Sequence, residues 1–88
     1  MAVKRLLISG KVQAVFYRVS AKEMADRLFI TGWVRNLPTG EVEAIISGTE
    51  LQIQQFLEWA WKGPKKAVVN NIIVHQEPDS NFDGFRIK

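Results

Sequence analysis

Apolar residues recur along this chain in two different periods, and each period indicates one kind of element. In two segments they fall three and four positions apart, which is the pattern of an amphipathic helix. These positions are Ala21, Met24, Ala25 and Leu28 in the first segment and Ile53, Phe56, Leu57 and Ala60 in the second. Thr49, with Gln52 three residues later, forms a capping box before the second helix, and Gly63-Pro64 supplies its stop signal. We therefore predict two helices, each with an apolar face for a sheet.

Other segments carry short runs of β-branched or alternating residues, which predict strands. They are Lys4 to Ser9, Trp33 to Asn36, Glu41 to Ser47, Ala67 to Gln76 and a short last strand with Phe85 and Ile87. Pro38-Thr39-Gly40 predicts a hairpin turn between the second and third strands. Asn70-Asn71 predicts a bulge or an exposed edge in the fourth strand.

The resulting order is strand, helix, strand, strand, helix, strand, followed by a short terminal strand. This order is typical of the α+β ferredoxin-like fold (split βαβ, or βαββαβ), in which a mostly antiparallel sheet packs both helices on one face. No repeat or linker interrupts it, so we interpret residues 1–88 as a single domain. On the second helix, Trp61 flanks the apolar stripe and Trp59 lies well off it, so we expect Trp59 to be half exposed.

Composition restricts the chemistry more than it restricts the fold. The chain has no cysteine, which excludes disulfides, thiolate nucleophiles and cysteine metal sites. Its one histidine, His75, cannot by itself build a metal site or a Ser/His/Asp relay, and we expect it on the surface of an edge strand. The net charge of +3 permits an anionic partner without requiring nucleic acid. No apolar stretch approaches membrane-spanning length, so we expect a cytoplasmic protein.

The junction between the first strand and the first helix, Gly10 to Arg18, is the candidate functional site. A turn there leaves backbone N–H groups without partners at the positive end of the helix dipole, an arrangement that binds oxyanions. Arg18 adds a planar fork of donors that matches two phosphate oxygens. Taken alone, the segment also fits an ordinary turn with a solvated arginine, so the rest of the sequence has to decide.

Two sequence blocks bear on this question together. They are Gly10-x-Val12-Gln13-Ala14-Val15-x-Tyr17-Arg18 and Gly32-x-Val34-x-Asn36-x-x-x-Gly40-x-Val42-Glu43. Their residues and spacing closely resemble the patterns G-x-V-Q-G-V-x-F-R and G-x-V-x-N-x-x-x-G-x-V-E of the acylphosphatase family. Trp59, Gly63-Pro64, Ala67 and Val68 resemble that family's second helix and the strand after it. The resemblance therefore covers nearly the whole chain.

The resemblance implies hydrolysis of an acyl phosphate to a carboxylate and inorganic phosphate, with no metal and no cofactor. Arg18 matches the arginine that binds the phosphoryl group, and Asn36 matches the asparagine that positions the attacking water. The phosphate cradle then consists of the backbone amides of Gln13, Ala14, Val15, Phe16, Tyr17 and Arg18. The expected partners are a small anionic acyl phosphate and inorganic phosphate, with no nucleic acid and no membrane, and we expect a monomer.

This chemistry is compatible with a site that lacks histidine and cysteine. Fixed N–H donors and a guanidinium stabilise the charge that spreads over three equatorial oxygens during attack on phosphorus. The leaving carboxylate has a conjugate acid with a pKa of about 4, so it departs without being protonated and needs no general acid. Asn36 can hold a water molecule but is no base at neutral pH.

Three positions depart from the family pattern. Ala14 stands inside the cradle where the family usually has glycine, and a positive φ there would cost alanine about 1 kcal/mol and misaim an amide. Tyr17 replaces a phenylalanine, so its hydroxyl must find a partner or stay at the rim. Phe29 stands where the family commonly has a helix-ending glycine.

Two alternatives to an active enzyme stay open. The first is an acylphosphatase-like module that has lost turnover and binds phosphate or a partner, for which Ala14 is the main support. The second is an RNA-recognition module on the same scaffold, which stacks bases on aromatic residues of its central strands. The corresponding segments, Lys4 to Ser9 and Glu41 to Ser47, contain no aromatic residue, which argues against RNA.

Overall fold

A computed structural model describes all 88 residues, Met1–Lys88, and its order of elements confirms the predicted α+β fold. The chain forms β1 (Ala2–Lys11), α1 (Tyr17–Arg27), β2 (Thr31–Asn36), β3 (Val42–Gly48), α2 (Glu50–Lys62), β4 (Val68–Glu77) and β5 (Phe85–Ile87). The predicted hairpin is the β2–β3 pair. Neither helix is long and apolar enough to cross a membrane.

The strands form one sheet in the order β4-β1-β3-β2-β5. β1 pairs antiparallel with both β3 and β4, β2 pairs antiparallel with β3, and the short β5 adds to β2 in parallel. Because β1 and β2 are both antiparallel to the strand between them, they run in the same direction. Their carboxyl ends therefore lie at the same edge of the sheet, next to the loop that the sequence analysis identified as the candidate site.

The predicted irregularity in the fourth strand is a β-bulge beside the end of β1. Ser9 lies opposite Asn71 and Gly10 lies opposite Val69, which leaves Asn70 without a partner on β1. Gly10 has φ of +125°, and a Cβ atom on it would lie 2.1 Å from the carbonyl oxygen of Val68. Only glycine allows the two strands to approach this closely where the chain leaves the sheet for the loop before α1.

Both helices bury their predicted apolar faces on the same side of the sheet. The buried positions are Ala21 and Ala25 of α1 and Ile53, Phe56 and Ala60 of α2. They join alternate strand residues in one cluster, among them Leu6, Ile8, Val34, Val42, Ala44 and Ile46. Burial of this apolar surface is the main stabilising term of the fold.

Trp59 of α2 packs more closely against the core than the sequence analysis predicts. Trp59 packs against the core, with its ring centroid 5.3 Å from that of Tyr17 and 5.6 Å from that of Phe56. Trp61 is 49% exposed. The prediction was wrong because the apolar stripe of α2 does not reveal that α1 packs beside it, and Tyr17 of α1 extends the buried surface to Trp59.

The end of α2 is tied to the start of α1 by one buried hydrogen bond. α2 ends at Gly63 as predicted, and the residue after it is Pro64, which has no N–H to donate to the Ala60 carbonyl four residues earlier. The Tyr17 hydroxyl donates to that carbonyl instead, at 2.7 Å. The extra oxygen of Tyr17, unusual for the family pattern, therefore has a partner, and it fixes the first residue of α1.

Candidate active site

The loop between β1 and α1, residues 12–16, presents backbone N–H groups that have no partner in the protein. Ala14 and Phe16 both have left-handed conformations, with φ of 61° and 64°. None of the N–H groups of residues 13–16 donates a hydrogen bond within the chain, and the first backbone bond of the helix runs from Ser20 N to Phe16 O at 3.0 Å. Unpaired donors in such turns, at the positive end of a helix, make a concave site for an anion.

Arg18 and Asn36 line a single cleft beside this loop. The cleft has a volume of about 360 Å³, at the small end of the range of roughly 300 to 1,000 Å³ typical of ligand sites. Its lining residues are Val12, Ala14, Phe16, Tyr17, Arg18, Val19 and Asn36. The structure therefore brings Asn36 together with four of the six predicted cradle residues, and Arg18 is one of these four.

The order of the strands explains why Asn36 lies near the loop before α1, although the two are far apart in the sequence. Asn36, the last residue of β2, lies opposite Val42 of β3, and Val42 lies opposite Ile8 of β1. Asn36 and Ile8 are thus two strands apart in one row, or roughly 10 Å at the usual spacing of about 4.8 Å between strands. The chain leaves β1 just beyond this row and turns into the loop that leads to Arg18.

The side-chain oxygen of Asn36 is a buried acceptor that no group of the protein satisfies. Val34, two residues earlier, is fully buried in the core, so Asn36 also projects toward the side of the sheet that carries the helices. Buried polar atoms nearly always have a hydrogen-bond partner. An oxygen without one, on a residue that lines a cleft, is suited to accept a hydrogen bond from water or from a ligand.

Two residues of the predicted cradle do not line the cleft. Val15 is 4% exposed and belongs to the core. The side chain of Gln13 turns to the other loop, where its Nε2 donates to the carbonyl oxygens of Leu37 at 2.8 Å and Glu41 at 2.9 Å. Gln13 thus holds the loop before α1 against the turn that follows Asn36. Sequence reasoning considered only its backbone amide, because nothing in the local pattern indicates where a loop side chain will reach.

Comparison with known proteins shows the family to which the chain belongs. The family model described as Acylphosphatase matches residues 4–87. This chain belongs to the acylphosphatase family. It is 46% identical over 82 residues to an acylphosphatase of Marinobacter nauticus, a match that covers 92% of this chain and 89% of the relative.

Solved acylphosphatase structures share the fold over the whole chain. The acylphosphatase from Coxiella burnetii matches with a TM-score of 0.95 and 37% identity, covering 99% of this chain and 92% of that one. The acylphosphatase from Bacillus subtilis matches with a TM-score of 0.97 and 30% identity, covering 100% and 99%. The ferredoxin-like fold and the family resemblance predicted from the sequence are both confirmed, and acyl phosphate hydrolysis is the function of this family.

Two departures from the acylphosphatase pattern occur at positions with left-handed backbone. Ala14 has φ of 61° and Phe29 has φ of 58°, although L-residues with a Cβ rarely adopt such angles. The conformation of Ala14 is one that glycine adopts without strain, and Ala14 still lines the cleft. The alternative of an inactive binding module, which rested on Ala14, is not favoured by the comparisons.

Glu43 belongs to the second acylphosphatase motif but lies outside the cleft. It sits between the core-facing residues Val42 and Ala44 in β3, so its side chain projects to the opposite face of the sheet. There its carboxylate accepts from Arg35 at 2.6 Å and from Arg5 at 3.3 Å. This arrangement links β1, β2 and β3, and it indicates a structural role for the motif's glutamate.

Arg18 is the only charged side chain among the residues that line the cleft. No group of three or more His, Cys, Asp and Glu side chains that could hold a metal ion is present in the chain. His75 is exposed on β4, the edge strand, as expected. The cleft therefore offers a bound anion one guanidinium, one carboxamide and main-chain N–H groups.

Proposed function

We propose that this chain hydrolyses the carboxyl–phosphate bond of acyl phosphates to a carboxylate and inorganic phosphate, without a metal or cofactor. The observation that carries the proposal is that Arg18 and Asn36 line one cleft beside a turn whose N–H groups are unpaired. This combination provides a place for a phosphoryl group and, next to it, a polar side chain for the nucleophile. It also agrees with the function of the acylphosphatase family.

The loop and Arg18 bind the phosphoryl group in this proposal. The backbone amides of residues 13–18 surround its oxygens, and the Arg18 guanidinium donates to two of them. Because these donors are fixed by the fold, they stabilise the charge of the transition state without reorganising. Inorganic phosphate, as product, binds the same donors and is expected to inhibit competitively.

Asn36 positions the attacking water. Its unsatisfied side-chain oxygen accepts a hydrogen bond from the water, and attack on phosphorus then displaces the carboxylate. The carboxylate is a weak base, since its conjugate acid has a pKa of about 4, so it leaves without being protonated. The proton of the water passes to the substrate or to solvent, because asparagine cannot take it.

An assay of benzoyl phosphate hydrolysis by the purified protein, with a chelator present and inorganic phosphate as competitor, tests the activity. Arg18→Ala is expected to lower kcat by at least about 10² to 10³, or roughly 3 to 4 kcal/mol, which is typical for loss of an oxyanion donor. Arg27→Ala is the matched control, since Arg27 is an exposed arginine at the other end of α1. Equal turnover by folded Arg18→Ala and Arg27→Ala would refute the role of Arg18.

Asn36→Ala tests the role of the carboxamide separately. We expect kcat to fall while KM changes little, because the proposed partner of Asn36 is water rather than substrate. Asn81→Ala, at an exposed position between β4 and β5, serves as the control and should retain both constants. A rise in KM at unchanged kcat for Asn36→Ala would instead assign Asn36 to substrate binding.

We also propose that the chain works as a single acylphosphatase domain, as a monomer in the cytoplasm. All the contacts proposed for the substrate come from one copy of the chain, which supports a site that is complete without a partner. Light scattering at the concentration of the assay tests the oligomeric state, and cell fractionation tests the location. A specific activity that rises with protein concentration would contradict the monomer.

A further inference from the structure

The mouth of the cleft carries two large apolar side chains that the fold leaves in solvent. Phe16 is 74% exposed and Val19 is 49% exposed, and both line the cleft. Phe16 is the residue just before α1 and Val19 lies in its first turn, so both are placed at the start of the helix. Exposed apolar surface grouped at a cleft is typical of a ligand contact.

Phe16 does not contribute to the fold in a way that accounts for its presence. It is the residue before α1, in a left-handed conformation with φ of 64° and ψ of 23°. The Cβ atom of a phenylalanine makes this conformation unfavourable, and the exposed ring buries little surface in return. A polar residue such as asparagine would accept this conformation more readily.

The rest of the cleft is also mainly apolar. Five of its seven lining residues are hydrophobic, and Arg18 is the only one with a charge. Once Arg18 is paired with the phosphoryl group, no cation among the lining residues remains for a second anionic group. The part of the substrate beyond the phosphate therefore contacts mainly apolar side chains. We call the exposed pair Phe16 and Val19 the acyl-binding wall.

We propose that Phe16 and Val19 bind the acyl group, and that the substrate class is acyl phosphates whose acyl group is aromatic or otherwise large and apolar. This inference rests on the proposed hydrolysis of acyl phosphates and specifies which of them the site favours. Acyl groups as small as acetyl reach little of the wall, and acyl groups with a second carboxylate or phosphate lose hydration there without gaining a charged partner.

The test is the ratio of kcat/KM for benzoyl phosphate to kcat/KM for acetyl phosphate. A substitution that disturbs the phosphate cradle should change kcat/KM for both substrates by the same factor, because both bind their phosphate there. The ratio measured for one variant is therefore unaffected by such a disturbance. Phe16→Asn keeps the backbone N–H and the left-handed conformation but removes the ring. We expect it to lower the ratio about fivefold to tenfold, which corresponds to losing about 50 Å² of apolar contact.

Phe29→Asn is the matched control. Phe29 is also an exposed phenylalanine, 82% in solvent, with φ of 58°, but it follows α1 at the far end and does not line the cleft. Its variant should keep the wild-type ratio. Val19→Ser is a second test that leaves the loop untouched, and we expect it to lower the ratio about twofold to fourfold.

The outcomes separate this inference from the proposed function. Hydrolysis of both substrates, with a ratio that neither Phe16→Asn nor Val19→Ser changes, would overturn the acyl-binding wall and leave the enzyme intact. A lower ratio in Phe29→Asn as well would show a general effect of losing a surface ring and would also overturn the proposal. No hydrolysis of either substrate by the wild-type chain would refute the proposed function itself.

Discussion

Substitutions at Phe29 can measure the free-energy cost of a strained backbone conformation in this fold. It lies just after α1 in a Schellman motif, in which Phe29 N–H donates to Asp26 O at 3.3 Å and Ile30 N–H donates to Ala25 O at 2.9 Å. The central residue of this motif is usually glycine because its φ is positive, and here φ is 58°. Replacing Phe29 by glycine should therefore stabilise the protein.

The expected difference in stability between the glycine and alanine variants follows from two opposing contributions. A residue with a Cβ pays roughly 1 to 2 kcal/mol for the left-handed conformation, whereas glycine loses about 0.4 to 1 kcal/mol through the greater entropy of its unfolded chain. The ring of Phe29 is 82% exposed, so little packing is lost. We expect Phe29→Gly to be more stable than Phe29→Ala by about 0.5 to 1 kcal/mol, because both variants lack the ring and differ only in the Cβ.

Thermal and urea unfolding followed by circular dichroism would measure this difference, which corresponds to about 2 to 8 °C in Tm for a chain of this size. At an ordinary helical position the order is reversed, with alanine more stable than glycine by about 1 kcal/mol. If Phe29→Ala proved equal to Phe29→Gly or more stable, the strain inferred from the positive φ would be refuted. Ala14→Gly is the corresponding exchange in the cradle, and the same sign is expected there.

Two further predictions concern the contacts that hold the site together. Tyr17→Phe should cost about 1 to 3 kcal/mol of stability, because the Ala60 carbonyl loses its only donor. Burial also raises the pKa of the Tyr17 hydroxyl above its ordinary value of 10.0. The unfolded chain therefore loses this proton first, stability should fall above pH 10, and urea titrations should show a smaller fall in Tyr17→Phe. Gln13→Glu removes the donor to two carbonyls and should lower kcat about tenfold to a hundredfold through misplacement of the two loops. Gln54→Glu, exposed on α2, should leave kcat unchanged, and equal rates in the two variants would refute the coupling.

The elements of the fold could be predicted because their signals are local. The capping box at Thr49 and Gln52 is present in the structure, with Gln52 N–H donating to Thr49 Oγ1 at 3.2 Å and Thr49 N–H donating to Gln52 Oε1 at 2.8 Å. The bulge at Asn70-Asn71 and the stop at Gly63 also lie where expected. Each of these features depends on residues a few positions apart, so the sequence alone contains the relevant contacts.

The features that could not be predicted depend on contacts between distant segments. Trp59 is partly buried because α1 lies beside α2, and no period within α2 contains that information. The side chain of Gln13 spans two loops to reach Glu41, which requires the order of the strands to be known. For Ala14 and Phe29, family resemblance raised the question of strain, but the sign of φ had to come from the structure.

The position of Asn36 shows why a site with so little titratable chemistry can be specific. A guanidinium and main-chain donors alone would bind any phosphate, so hydrolysis requires a second group at a fixed place beside them. That place is set by the order β1-β3-β2, which puts the carboxyl ends of β1 and β2 at one sheet edge, and by Gln13, which clamps the two loops there. In the proposed mechanism the sheet thus orients the attacking water through Asn36, a task that in many hydrolases falls to a titrating base. It follows that kcat should show no pH dependence from an enzyme group near neutrality, and a bell-shaped profile between pH 5 and 8 on benzoyl phosphate would contradict this assignment.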